Sequence, residues 1–431
     1  MPALKRILGT GALLAFGLAY LVPLTVFTTF GSATQLTQGH LPLAYLVTTV
    51  AMLFTSVSYA VLVQAFPAAG SAYSYARAAF GGNAGFLVGW ALLLDYLLLP
   101  AINYLVIGLY LHAEFAGLPP QVPILATIVV VTALNIIGID VVRSASLIIV
   151  LLQLVFAAVF IGCTLHFAHG AYSLAAFGAG GVAWPAVLSG AAVLCLSFLG
   201  FDAVSTLSEE TLDPQRSVPR AILLTTLSGG LIFTLLAYGA ALALPDWRSI
   251  KSADAAGMEV MTPLGGRPLQ VFFLVAYIAG CAASAIASQA SVARILYAMG
   301  RDAILPRAWF GTLSERFRSP ARALLTVGVV SLIALLVELF DVLVSIVSFG
   351  ALSAFTVVNL AVIKHFLIDE RRRGTGAVCL YGMVPLAGMA ATAWLWLSLS
   401  RNALLVGLAW LALGAGYLGV LRLRGAAPRG F

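Results

Sequence analysis

The chain has 431 residues, of which 61% are hydrophobic and only 9% are charged. Soluble domains carry about 25% charged residues, so a soluble fold is excluded because it could not cover this much apolar surface. The net charge of +7 does not indicate a nucleic-acid partner, since the basic residues lie in short segments between long apolar stretches, where they set membrane topology.

Twelve apolar windows follow one another along the chain, each long enough for a transmembrane helix of about 20 residues. They lie at about 8–36, 43–66, 83–113, 122–140, 144–168, 184–208, 219–245, 268–297, 321–340, 342–366, 376–397 and 402–423. We therefore predict an all-α integral membrane protein with about twelve transmembrane helices in a single domain, residues 1–431. Lys5 and Arg6 precede the first window, and no small-residue cleavage site follows a short apolar core, so this window is predicted to be a true span.

The distribution of basic residues predicts the orientation of these spans. If both termini lie in the cytoplasm, nineteen of the 23 lysine and arginine residues fall on the cytoplasmic side. The four on the opposite side are Arg248, Lys251, Arg267 and Arg401. Because cytoplasmic loops carry an excess of basic residues, this bias predicts cytoplasmic termini and an even number of spans.

The first and sixth windows carry residues that interrupt a helix. The first contains Pro23, which has no amide hydrogen to donate, and the sixth contains Gly200 followed by a polar run that begins at Asp202. We predict that the first span unwinds within residues 21–26 and the sixth within residues 199–205. Corresponding breaks in two halves of a transporter mark its binding site. The alternative is an ordinary proline kink and a glycine that permits close packing.

Two loops at corresponding positions of the two halves are also predicted to be helical. Residues 66–82, between the second and third windows, are too polar to span a bilayer and too apolar for an ordinary loop, which suits an interfacial helix. In an inverted second half the counterpart is the outer loop Pro245–Gly266, which is predicted to form short helices.

Two carboxylates lie deep in the predicted spans. A carboxylate at a span centre costs about 2.5–3.5 kcal/mol to insert, so it needs a partner or a function. Asp95 lies about twelve residues into the third window, roughly 18 Å along the helix; it either has a structural hydrogen-bonding role or binds substrate or a proton. Asp202, at the sixth-span break, either binds a substrate ammonium group or caps the half-helix that restarts there, and one residue could do both.

Other residues near the two breaks complete the predicted site. The half-helix that restarts after Pro23 presents free amides and hydroxyl groups that suit a carboxylate, and aromatic faces can hold a cation. Any one of these residues is more often explained by plain packing. The further candidate substrate-binding residues are Pro23, Thr25, Phe27, Thr28, Tyr96, Phe198, Gly200, Phe201 and Tyr277.

Motifs of other protein classes are absent from the sequence. There is no GxxxxGK[ST] loop and no HExxH pattern, the five histidines are scattered, and the four cysteines stand singly without a CxxC pair. No ATP-driven motor is therefore encoded in this chain, and we predict no catalytic residue, no cofactor and no metal site.

Five stretches spread over the first eight spans are specific when taken together: GLAYLVPLTVFTTFG (17–31), FPAAGSAYSYARAAF (66–80), GFLVGWALLLDYLLLPAIN (85–103), SFLGFDAVSTLSEET (197–211) and ASVARILYAMGRDAILP (290–306). They resemble the amino acid–polyamine–organocation superfamily, in particular its bacterial putrescine-importer-like permeases. The resemblance implies the LeuT-type fold, with repeat one at about 8–168, an inverted repeat two at about 184–366, and additional helices at about 376–423. It also implies a site between spans 1, 3, 6, 8 and 10.

The resemblance also carries expectations for single residues. Asp202 stands where related diamine and arginine carriers have a substrate-binding carboxylate, and Leu196 stands where some relatives have an aromatic gate. Thr28 replaces an aspartate of the putrescine importers, which favours a monoamine or an amino acid over a diamine. Gln153 stands in span 5, where some members couple protons through a lysine. Ser284 follows an alanine where sodium-coupled relatives have two hydroxyl residues, so it is the candidate for ion coupling.

Together these observations predict a secondary active transporter. It would import a small amino compound, an amino acid or a polyamine, by alternating access coupled to a proton or sodium gradient. An exchanger is the alternative within this class, and a membrane enzyme or channel is a distant one. We expect the chain to be a multi-pass protein of a bacterial inner membrane, surrounded by the lipid bilayer.

Overall fold

The computed structural model describes residues 5–115, 117–170, 172–179, 181–250, 256–336, 340–397, 399 and 401–423. The α-helices in chain order are α1 (Thr10–Leu21), α2 (Thr25–Leu36), α3 (Leu41–Ala65), α4 (Ala72–Phe80), α5 (Gly82–Glu114), α6 (Gln121–Ile137), α7 (Ile139–Phe167), α8 (Trp184–Leu194), α9 (Pro214–Ala243), α10 (Ala256–Glu259), α11 (Met261–Arg301), α12 (Arg307–Phe310), α13 (Ala321–Val330), α14 (Phe340–Val362), α15 (Thr375–Val378), α16 (Val384–Leu397) and α17 (Arg401–Leu423). Short 3-10 helices at Cys195–Phe198 and Ser331–Leu335 extend α8 and α13, and a separate 3-10 helix covers Ala203–Glu210.

The described helices confirm an all-α membrane fold. Nine helical segments are long and apolar enough to cross a bilayer, and α1 with α2 makes a tenth if the bent pair counts as one span. The shorter apolar helices Gln121–Ile137 and Ala321–Leu335 fill the fourth and ninth predicted windows. Each of the twelve predicted windows therefore contains helix.

The first span is broken where the sequence predicts it. α1 ends at Leu21, Val22 adopts a left-handed conformation with φ +48°, and α2 begins at Thr25 at an angle of 48° to α1. Pro23 lies between them and cannot donate a helical hydrogen bond. A break at this depth is tolerated because the surrounding residues are buried in protein.

The sixth span is also interrupted. Its 3-10 segment ends at Phe198, Leu199 is extended, and Gly200 has φ +123°, a conformation that glycine adopts without strain. A second 3-10 helix begins at Ala203 and runs to Glu210. The break therefore covers residues 199–202, inside the predicted range, and the tighter 3-10 winding continues beyond it.

The most buried spans lie at the centre of the bundle, and the sixth span with its break is one of them. About two-thirds or more of the apolar window is buried in α3, α5, the sixth span and α14, whereas only 28% and 22% is buried in the last two spans. α5 packs against α11 and α14, and α3 packs against α9. The last two spans thus lie at the periphery, as expected for additional helices.

The two predicted interfacial segments contain helices. α4 occupies most of residues 66–82 and packs on α5. In the outer loop a 3-10 turn at Trp247–Ser249 and the short α10 are present, while residues 251–255, including Lys251, lie outside the described residues. α11 bends at Gly266, where φ is +59°, so its spanning part begins after this loop.

Candidate functional site

Asp202 lies at the sixth-span break with both carboxylate oxygens engaged. The Tyr96 hydroxyl donates to Oδ2 at 2.5 Å, and the Gly200 amide donates to Oδ1 at 3.2 Å. The residue is 1% exposed. Its side chain makes no ordinary N-cap hydrogen bond to the 3-10 helix that follows, and the Asp202 and Ala203 amides lie close enough to interact with it. The carboxylate therefore ties the break to α5, and it does not cap the restarting half-helix in the ordinary way.

Tyr20, at the end of α1, places the first break beside Asp202 and the sixth-span break. Its ring lies edge-on to that of Tyr96, with centroids 6.1 Å apart. A Cβ atom at Gly200 would lie 2.3 Å from Cδ1 of Tyr20, so only glycine lets the tyrosine ring approach the sixth span. The first span, α5 and the sixth span thus meet around Asp202.

This close approach predicts a large effect for Gly200→Ala. The new methyl group would collide with Tyr20, and φ of +123° is strained for alanine, at about 1–3 kcal/mol. We expect a lower unfolding temperature in detergent and weaker substrate binding. Gly416→Ala in α17 is the control, because a Cβ atom there meets nothing within 4 Å. Equal unfolding temperatures for the two variants would contradict the packing described.

Asp95 is the second buried carboxylate, one residue before Tyr96 on α5. It is 1% exposed, and its Oδ1 atom has no hydrogen-bond partner among the residues that the structure describes. A Cβ atom at Gly350 would lie 2.9 Å from the Asp95 amide nitrogen, so α14 packs directly on this turn of α5. Within the described residues neither Asp95 nor Asp202 forms an ion pair with a basic side chain. The site thus holds two carboxylates without a basic partner.

Ser284, the predicted ion-coupling residue, links α11 to the first break. Its hydroxyl donates to the Tyr20 carbonyl at 2.9 Å and accepts from the Asn103 side-chain amide at 3.0 Å. Asn103 lies on α5 and also donates to the Leu99 carbonyl. The hydroxyl and the carbonyl that face each other here are both oxygen ligands of the kind that a hard cation takes.

The hydroxyl residues of α2 lie beside the first break but are turned toward their own helix. Thr25 donates to the Val22 carbonyl at 3.0 Å, and Thr28 donates to the Thr25 carbonyl at 2.8 Å. Both side chains are half-buried. They retain acceptor capacity, since a hydroxyl oxygen that donates once can still accept.

The predicted aromatic residues form separate groups. Phe201 contacts Tyr59 and Phe355 near Asp202, at centroid distances of 5.8 and 5.3 Å. Phe27 and Tyr277 both pack against Phe273, each with centroids 5.4 Å away. No ring contact among the described residues joins this second group to Tyr96 or Phe201, so Phe27 and Tyr277 do not border Asp202 directly.

Phe198 and Leu196 lie on the segment before the break. Phe198 packs against Phe233 of α9, with centroids 5.2 Å apart. Leu196 lines an apolar cavity of about 160 Å³ that also borders Leu199 and Phe355. An aromatic gate at position 196 would occupy space that is open in this structure.

Three residues near the site were not predicted from the sequence: Tyr20, Tyr59 and Asn103. Tyr59 is fully buried on α3, and within the described ranges its hydroxyl has no hydrogen-bond partner of ordinary geometry. Tyr20 precedes Pro23 by three residues, and Asn103 follows Pro100 by three, so each stands near a helix-disrupting proline. Tyr20 and Asn103 could have been identified from the sequence as polar residues about one turn from a proline within a span.

Both ends of the protein close over the two breaks. At the predicted cytoplasmic end, Arg294 forms a buried bidentate ion pair with Glu210, with distances of 2.8 to 3.1 Å. The Glu210 carbonyl accepts from the amides of Ile7 and Leu8 at 3.0 and 3.1 Å. At the other end α10 packs on α2 so closely that a Cβ atom at Gly257 would lie 2.0 Å from the Phe27 carbonyl oxygen.

The arrangement suits a small organic cation. Two buried carboxylates without basic partners among the described residues must be neutralised by protons or by a bound cation, and an ammonium group would be strongly attracted to either one in its charged form. Aromatic rings surround the carboxylates and can contact a cation or an apolar chain.

Comparisons with known proteins show that this chain is similar to membrane permeases. The model of the family described as amino acid permease matches residues 13–409. The low-affinity putrescine importer PlaP of Escherichia coli (strain K12) is 39% identical over 96% of this chain and 93% of its own length. The branched-chain amino acid permease BcaP of Bacillus subtilis (strain 168) is 26% identical over 84% of this chain and 81% of its own length.

Proposed function

The chain belongs to the amino acid permease family, and on that premise we propose that it is a secondary active importer of small aliphatic amines, with diamines such as putrescine as its substrate class. The family and its relatives support transport of an amino acid or polyamine. The choice of an amine rests on one observation, the pair of buried carboxylates that have no basic partner.

An amino acid is the second candidate substrate. It carries a carboxylate, which would need its own donors close to Asp202 and Asp95. The amides and hydroxyls where α2 restarts could supply them, and the relative BcaP is named a branched-chain amino acid permease. However, a zwitterion would leave the two buried carboxylates with only one positive charge, so we favour a substrate without a carboxylate.

In this proposal Asp202 receives the ammonium group, and Tyr96 and Gly200 hold the carboxylate in place. Tyr20 and Phe201 border the carboxylate on two sides. Pro23, Thr25 and Thr28 shape the first break, while Phe27, Phe198 and Tyr277 act through packing around it. Transport would be driven by a proton or sodium gradient, and Ser284 with the Tyr20 carbonyl is the candidate site for the coupled ion. Uptake by exchange against an internal amine is the alternative.

A binding screen tests the substrate class. Purified protein in detergent is heated with putrescine, cadaverine, butylamine, leucine and arginine, because a ligand that binds only the folded state raises the unfolding temperature. We expect stabilisation by the amines and none by leucine. Stabilisation by leucine alone would contradict the proposed substrate class.

We further propose that both termini are cytoplasmic, that the protein lies in a bacterial inner membrane, and that repeat one and repeat two have the predicted bounds. Gln215, in the first turn of α9, would then face the cytoplasm, and Ser249 would face outward; both are exposed. In a background without Cys379, which is exposed, an impermeant thiol reagent should label Ser249→Cys in intact cells and label Gln215→Cys only after permeabilisation. The reverse pattern would invert the topology.

A further inference from the structure

We propose that Asp95 binds the second ammonium group of a diamine whose first ammonium group is bound by Asp202, so that Asp95 determines the preference for diamines over monoamines. This inference rests on the proposed function and deepens it. It assigns a separate task to each of the two buried carboxylates.

The first support is the unsatisfied state of Asp95. The residue is 1% exposed, and within the part of the chain that the structure describes its Oδ1 atom has no hydrogen-bond partner. Buried polar atoms are nearly always paired, so an unpaired carboxylate oxygen requires an explanation. Asp202, by contrast, has a donor on each oxygen. Asp95 is thus the carboxylate that is left open for a donor from outside the protein.

The second support is that the two carboxylates share their surroundings. Asp95 lies within electrostatic range of Asp202. The side chains of Tyr20, Tyr59 and Tyr96 each lie within electrostatic range of both carboxylates. The three rings come from α1, α3 and α5, so aromatic rings of three helices lie near both carboxylates. Aromatic faces suit the apolar carbon chain of a diamine as well as its charged ends.

The third support is an additional acceptor beside Asp95. Pro100 lies inside α5 and has no amide hydrogen, so the Tyr96 carbonyl lacks its usual helical donor. The Tyr59 hydroxyl is also buried, and among the described residues it has no hydrogen-bond partner of ordinary geometry. An ammonium group has three donors and no acceptor. It could therefore satisfy Asp95 and one or both of these oxygens at once.

The charge balance favours two positive charges at this site. A diamine with both ends protonated neutralises both carboxylates. A monoamine of the same length leaves one buried carboxylate uncompensated, which is strongly unfavourable unless that group takes up a proton. Thr28, beside the first break, carries no charge, so the first break itself supplies no side-chain carboxylate at that position. Asp95 supplies a second carboxylate from α5 instead.

The test removes one ammonium group from the ligand and one carboxylate charge from the protein, as in a double-mutant cycle. Binding of putrescine and butylamine, which differ by one ammonium group, is measured by titration calorimetry on the detergent-purified full chain. The proteins are the parent, Asp95→Asn, Asp202→Asn and the exposed control Asp213→Asn. We expect the parent and the control to prefer putrescine by about ten- to a hundredfold. In Asp95→Asn this preference should vanish while butylamine binds as before, and in Asp202→Asn both amines should bind more weakly.

A second variant guards against a loss of folding in Asp95→Asn. Asp95→Glu keeps the charge and extends it by one methylene group, so it should retain a diamine preference but shift it toward 1,3-diaminopropane. Two results would overturn the inference: an unchanged putrescine preference in Asp95→Asn, or equal weakening of both amines in that variant. Failure of the parent to bind either amine would instead overturn the proposed function and the inference together.

Discussion

Asp202→Asn is expected to weaken amine binding by about ten- to a hundredfold while expression and folding remain nearly intact. A hydrogen bond to a charged group contributes about 1.5–3 kcal/mol, which corresponds to that factor in affinity. Asparagine keeps the shape of the side chain and can still accept from the Tyr96 hydroxyl through its carbonyl oxygen. The variant therefore removes the charge and preserves the link between α5 and the break. Dissociation constants from calorimetry measure the effect directly.

Two comparisons make this result interpretable. Asp202→Ala would remove both the charge and the hydrogen bonds to Tyr96 and Gly200, so it could not separate binding from structure. Tyr96→Phe removes the donor and leaves the charge, and it should reduce affinity less than Asp202→Asn does. If Asp202→Asn binds amines as tightly as the parent, the ammonium group is held by backbone carbonyls and aromatic faces, and Asp202 has only a structural role.

Glu210→Gln and Arg294→Gln are each expected to lower the free energy of unfolding by about 3–5 kcal/mol, because each leaves one buried charge without its partner. The two side chains are 3% and 6% exposed, and they are joined by a bidentate ion pair. The loss should appear as a lower unfolding temperature in detergent. The double variant Glu210→Gln/Arg294→Gln should lose less than the sum of the two single variants, since no uncompensated charge then remains.

The neighbouring pair Arg301–Glu209 is a matched control. Its side chains are 43% and 23% exposed, and the shortest separation of the charged atoms is 3.0 Å. Exposed ion pairs contribute about 0–1 kcal/mol, so Arg301→Gln should change the unfolding temperature little. A loss as large as that of Arg294→Gln would show that burial does not distinguish the two pairs.

The main features of the fold were predictable because they depend on local rules. Span length follows from bilayer thickness, and the breaks follow from Pro23 and from the glycine and polar residues at 200–205. The structure places the breaks at residues 22–24 and 199–202, within the predicted ranges. The 3-10 winding of Ala203–Glu210 was not predicted, because the choice between the two helix types depends on packing rather than on the local sequence.

The candidate site was less predictable because it depends on contacts between distant parts of the chain. Asp95 and Asp202 stood out as carboxylates in apolar spans. Their partners did not, since the only local mark of Tyr20 is its position one turn before Pro23, and that position does not show which way its ring points. Phe27 and Tyr277 were predicted by depth in the membrane alone. Depth does not specify direction around a helix axis, and both rings pack on Phe273 instead of on Tyr96 or Phe201.

The central claim is that the protein uses an ion or proton gradient to import a small amine. Labelled putrescine uptake into proteoliposomes with the full purified chain tests this claim most directly. With an inward proton or sodium gradient and no amine inside, the account predicts accumulation above the external concentration. It also predicts that accumulation stops when the proton, sodium and electrical gradients are collapsed. Full accumulation with every gradient collapsed and no counter-substrate inside would contradict it, as would an absence of uptake under every gradient.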